Sequence, residues 1–85
     1  MTFDELVTAL GAPPQPTSGG GYLLPRMTIT DVRQKAGNAG VVRLSENIVK
    51  ITISLDNGFA VVVGSLELDD DISGGWLFEA GSDNQ

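Results

Sequence analysis

The dipeptide Asn57-Gly58, set between two runs in which apolar and polar residues alternate, constrains this chain more than any other feature. Asn-Gly is the strongest short hairpin signal, because both central positions of a type I′ turn require positive φ. Before it, Val49, Ile51, Ile53 and Leu55 alternate with Ile48, Lys50, Thr52 and Ser54, the period of a strand with one face in a core. A two-residue turn at Asn57-Gly58 pairs Asp56 with Phe59, Leu55 with Ala60, Ile53 with Val62, Ile51 with Gly64 and Val49 with Leu66. The apolar face thereby continues onto the second strand. The same register gathers Phe59, Val61 and Val63 on the opposite face beside Ser54, Thr52 and Lys50. That second face is unusually apolar for one left open to water.

Upstream of the hairpin the apolar period is helical. Thr2 and Glu5 form a T-x-x-E capping box, and Phe3, Leu6, Val7 and Leu10 follow at i, i+3, i+4 and i+7, which predicts a helix over about 3–10. Gly11 and Pro13-Pro14 stop it. Residues 11–21 read as a flexible Pro/Gly connector, and Tyr22-Leu23-Leu24 before Pro25 as an edge strand or a packed loop. Thr28 or Thr30 can cap a second short helix, about 30–36, with Ile29, Val32 and Ala36 on its inner face and Gly37 as its stop. Val41-Val42-Arg43-Leu44 and Trp76-Leu77-Phe78-Glu79 read as further strands, residues 69–75 as a polar loop, and 81–85 as a frayed tail. The expectation is one α+β domain over 1–85. Its antiparallel sheet has three or four strands centred on the 48–66 hairpin, with both helices packed on one face.

Composition narrows the chemistry. With no cysteine there are no disulfides, thiolate metal sites or cysteine nucleophiles, and with no histidine the usual neutral-pH base and commonest metal ligand are missing. Neither a catalytic residue nor a metal or cofactor ligand is assigned, and the expectation is a protein that is not an enzyme. The Ser18-Gly19-Gly20-Gly21 stretch lacks the Gly-Lys-Ser/Thr and the preceding strand of a phosphate-binding loop. Asp69-Asp70-Asp71-Ile72-Ser73-Gly74 fits the first half of a calcium loop, with oxygen ligands at relative positions 1, 3 and 5 and glycine at 6. The twelfth position, however, is Ala80, with Glu79 one place early. A solvated acidic loop is the plainer reading. The longest apolar run, 59–63, is too short to span a membrane, and no basic signal-peptide flank opens the chain, so a cytoplasmic location is expected.

Charge is distributed unevenly. The net charge is −6, made up of −2 over residues 1–21, +3 over 22–50, which hold all five bases, and −7 over 51–85. A polarised surface of this kind favours charged partners through steering.

One short segment resembles a known family. Thr28-Ile29-Thr30-Asp31-Val32-Arg33-Gln34-Lys35-Ala36-Gly37 looks like the first helix and turn of bacterial repressor helix-turn-helix units, a resemblance of about ten residues. Where a recognition helix should follow, the chain has Asn38-Ala39-Gly40-Val41-Val42, which favours turn and strand.

The leading functional expectation is a stoichiometric inhibitor that blocks a basic nucleic-acid-binding surface of a protein partner, similar to small phage-encoded anti-defence proteins in size and charge only. Two alternatives stand beside it. One is a self-assembling structural or accessory subunit, a homo-oligomer. The other is a DNA-binding regulator using residues 28–44. The partner-binding candidates are Glu67, Asp69, Asp70 and Asp71 at the acidic end, and Phe59, Val61 and Val63 on the second hairpin face. Trp76, with Phe78 on the alternate strand position, reads as a core anchor or alternatively as a binding hot spot.

Overall fold

The computed structural model describes residues 1–37 and 39–80. The expected tail at 81–85 therefore lies outside the described residues. Within them the chain forms helix α1 (Phe3–Ala9), strands β1 (Tyr22–Leu23) and β2 (Met27–Thr28), helix α2 (Ile29–Ala36), and strands β3 (Ala39–Arg43), β4 (Ile48–Leu55), β5 (Gly58–Leu66) and β6 (Asp71–Ala80). The class is α+β as expected. The sheet, however, has six strands rather than three or four, all antiparallel, in the order β1-β6-β5-β4-β3, with β2 on the same outer edge of β6 as β1.

Both helices begin where local chemistry dictates. Thr2 accepts from the Glu5 amide while the Glu5 carboxylate accepts from the Thr2 amide, and Thr28 and Asp31 make the same reciprocal pair at α2. Leu6, Val7 and Leu10 of the first helical segment and Val32 of α2 join Val49, Ile51, Ile53, Ala60, Val62, Ile72 and Leu77 of the sheet in one buried core. No charged or polar side chain is buried among the described residues. The helices cover one face of the sheet only.

The β4–β5 register corrects the expected one. Leu55 pairs with Gly58, Ile53 with Ala60, Ile51 with Val62 and Val49 with Gly64, two places from the pairing that an Asn57-Gly58 turn would impose. The turn residues are Asp56 and Asn57, and Gly58 alone of the three has positive φ, at 147°. Asp56 is drawn out of the ladder by the N-terminus. Its amide donates to the Met1 carbonyl at 3.0 Å, and its carboxylate accepts from the Met1 ammonium at 2.7 Å. A slip of two residues preserves parity, so every face assignment along the hairpin survives it.

The largest departure is at the end of the chain. The expected polar loop over 69–75 is mostly strand, because β6 begins at Asp71 and pairs along β5 to Ala80. A bulge lets it do so. Opposite Gly64, between the Val63–Trp76 and Ser65–Ser73 pairs, β6 inserts an extra residue, with Gly74 in the left-handed region at φ 59°. Gly64 has no room for a Cβ, since the Ile72 Cγ2 methyl occupies that space. The true β5–β6 turn is residues 67–70, closed by the Glu67 amide donating to the Asp71 carbonyl at 2.7 Å. No helix among the described residues is long and apolar enough to cross a membrane.

Candidate functional site

Strand pairing places in rows the side chains that point away from the helices. One row runs Leu23, Trp76, Val63, Lys50 and Val42 across β1, β6, β5, β4 and β3, and the next runs Phe78, Val61, Thr52 and Gly40. A third holds Ala80, Phe59 and Ser54. No described element lies over these rows. Trp76 and Phe78 each retain 38% of their surface, Phe59 40%, Leu23 46% and Val42 53%, while Val61 and Val63 are half-buried by their neighbours. The reading of Trp76 as a core anchor is thereby corrected. Leu77, between the two aromatics, is the β6 residue that enters the core, and strand alternation turns Trp76 and Phe78 outward.

The face has relief. Its β6 and β5 side is raised by Trp76, Phe78 and Phe59, and its β4 and β3 side is lowered by Thr52, Ser54 and Gly40. The Phe78 ring lies over the backbone of Gly21, where a Cβ would come within 2.6 Å of Phe78 Cε1. Glycine at that position lets the ring settle flat against the sheet edge. Lys50, half-buried between Val42 and Val63, is the one charged side chain in these three rows.

The acidic candidates sit elsewhere and are partly engaged. Asp70 Oδ2 accepts from the Thr30 hydroxyl at 2.7 Å and from the Thr30 amide at 3.1 Å, and the Asp70 carbonyl accepts from the Ile29 amide at 2.9 Å. With Thr28 accepting from Asp31, the first three amides of α2 are all satisfied, two of them by the β5–β6 turn. The hydroxyl bond, followed by the amide bond, holds the Asp70 carboxyl below its ordinary value. Asp71 faces Arg26 at 3.7 Å, and Glu67 accepts from the Ser73 hydroxyl at 2.8 Å. Asp69, exposed at φ 58° at the turn apex, makes no side-chain hydrogen bond or ion pair with another described residue. The turn is therefore a brace between sheet and α2 as well as an acidic surface.

Of the seven candidates, Phe59, Val61 and Val63 are brought together on the uncovered face, and Glu67, Asp69, Asp70 and Asp71 cluster at one end of the sheet. Sequence reasoning missed Leu23, Val42 and Phe78 as members of that face. Alternation within β6 carried the signal for Phe78, but β3 and β1 become neighbours only through pairing.

A cavity of about 250 Å³ at the hairpin end, sharing Phe59 and Ala80 with the third row, is also lined by Thr2, Phe3, Asp4 and Asn57. Among the described residues no group of three or more carboxylates is placed to hold a metal ion. β3 occupies the positions where a second helix of a helix-turn-helix would stand. Comparison with known protein families, with curated proteins and with solved structures finds no match to this chain.

Proposed function

We propose that the protein is a non-enzymatic binding module that holds another protein surface against the uncovered face of its sheet. The observation that carries this reading is the concentration of Leu23, Val42, Phe59, Val61, Val63, Trp76 and Phe78 on a face that no helix covers. Monomeric proteins rarely leave a contiguous apolar surface of that extent to water, and aromatic side chains at the centre of such a patch are typical contact hot spots. Binding through this face leaves the helix-covered core intact.

In the inhibitor reading the acidic residues would carry the contact. Asp70 and Asp71 are half-buried and already bond within the chain, so the weight falls on the apolar face, with the exposed Asp69 and Glu67 as a charged rim that steers approach. Capture of protein partners by immobilised wild type, by Val61→Lys and by the double variant Glu67→Gln/Asp69→Asn separates the two contributions. Val61→Lys is expected to abolish capture, whereas the rim variant retains most of it and loses salt dependence. Capture that survives Val61→Lys but fails in the rim variant would return the acidic end to the leading place.

A further inference from the structure

We infer that the occupant of the uncovered face is a second copy of this chain, packed sheet against sheet about a two-fold axis that runs along the strands and passes over β5. The inference rests on the binding role proposed for this face and names what fills it.

The first argument is relief. A two-fold axis along the strands reverses the strand order of one copy over the other, so that β6 of each lies over β4 of its mate, and β5 lies over β5. The raised Phe78 then meets the lowered Thr52, and Trp76 meets Lys50, each twice over. Isologous interfaces require a surface complementary to itself in this way, and a face uniformly high or uniformly low would not satisfy the operator. The row pattern sets Leu23 opposite Val42, Phe78 opposite Thr52, and Val61 and Val63 near their own counterparts on the axis.

Charge supplies the second argument. Each copy has a net charge of −6, and among the described residues Asp4, Glu5 and Asp31 lie on the helix layer and Asp56, Glu67 and Asp69 around the ends of the sheet. The three rows hold none of them. Approach through these rows brings no carboxylate of one copy onto a carboxylate of the other, and the face presents one cation, Lys50. The reversed strand order sets Lys50 of each copy over Trp76 of the other, where an ammonium on an indole face is attracted rather than stranded.

Area sets the strength. At about 16 Å² of sheet plane per strand residue, roughly 3.3 × 4.8 Å, and two residues per outward side chain, the twelve positions of the three rows occupy about 400 Å² before side-chain relief is added. That is below the about 800 Å² that each partner gives to a standard stable interface, so the association is a weak one that dissociates on dilution. The two sheets would enclose a second apolar layer, making a four-layer particle with helices outside.

Sedimentation equilibrium of the full chain from the low to the high micromolar range tests the inference, with the emission of Trp76, the one tryptophan, recorded on the same samples. Expected are a dimer that dissociates on dilution, a shift of Trp76 emission to longer wavelength as it does so, and tighter association at higher salt as the like-charged ends are screened. Phe78→Asp should weaken the dimer by about 100-fold or more, because each substitution enters the interface twice. Lys50→Glu, which lies outside the core, should weaken it while leaving the monomer's circular dichroism unchanged. A monomer at every concentration with constant Trp76 emission overturns the inference. If that monomer still captures a different protein in a Val61-dependent way, the binding role of the face stands and only its occupant is wrong. If it captures nothing, both fall.

Discussion

Val61 and Val62 are neighbours on β5 with opposite surroundings, and replacing each with threonine isolates what the helix layer contributes. Threonine keeps the shape and the β-branching of valine, so neither variant opens a cavity or alters strand preference much. Val62 is 1% exposed and is paired between Ile51 and Leu77, which are both fully buried. With no polar side chain in the core, the new hydroxyl finds no side-chain partner, which costs about 1–3 kcal/mol, and the lost methyl adds about 0.8 kcal/mol. A domain of this length is expected to be stable by only about 4–13 kcal/mol. Val62→Thr should therefore remove about 2–4 kcal/mol, a fall in melting temperature of roughly 8–30 °C. At Val61 the hydroxyl reaches water on the uncovered face, and the loss should stay below about 0.5 kcal/mol. Urea unfolding followed by far-ultraviolet circular dichroism, at concentrations low enough to exclude self-association, measures both. Equal losses, or a greater loss at Val61, would mean that the outer face is as enclosed as the inner one within a single chain. The assignment of one covered and one open face would then be wrong.

Two further outcomes probe the brace and the bulge. Asp70→Ala should lower the urea midpoint at neutral pH and fray the start of α2. Because the Asp70 carboxyl is held below its ordinary value, its contribution is present above the unfolded carboxyl pKa and lost as pH falls through the folded one, so wild type and variant should converge in acid. A difference that persists unchanged into strong acid would show that the carboxylate is not the source. Gly64→Ala forces a methyl into the space of Ile72 Cγ2, with Gly75 Cα 3.3 Å away, and should cost about 1–3 kcal/mol in the same assay. Full stability there would place Ile72 elsewhere.

What the sequence determined by itself is what depends on neighbours along the chain. The Thr2/Glu5 capping box defines the start of the first helix before any packing exists, whereas Thr28 and Thr30 both stood open as caps of the second until the structure placed Thr28 there with Asp31 as its reciprocal partner. Alternation along 48–55 and 59–66 assigned each side chain to a face, and the parity of that pattern survived even though the turn slipped to Asp56-Asn57. Phe59, Val61 and Val63 were therefore legible as an outer cluster. The slip itself was not, because it answers to Met1, 55 residues away in the chain, whose carbonyl and ammonium group hold Asp56. Only the tertiary structure decided how far β6 runs, since that depends on a bulge at Gly74 accommodating Ile72 over Gly64. Strand pairing likewise decided that Leu23 and Val42 join Trp76 and Phe78, because two- and five-residue strands carry too little period to declare a face or a neighbour. The role of Asp70 was hidden for the same physical reason. A carboxylate in an acidic run looks solvated until a helix 40 residues upstream delivers the Thr30 amide and hydroxyl to it, and contacts that distant are created by packing rather than encoded in local pattern.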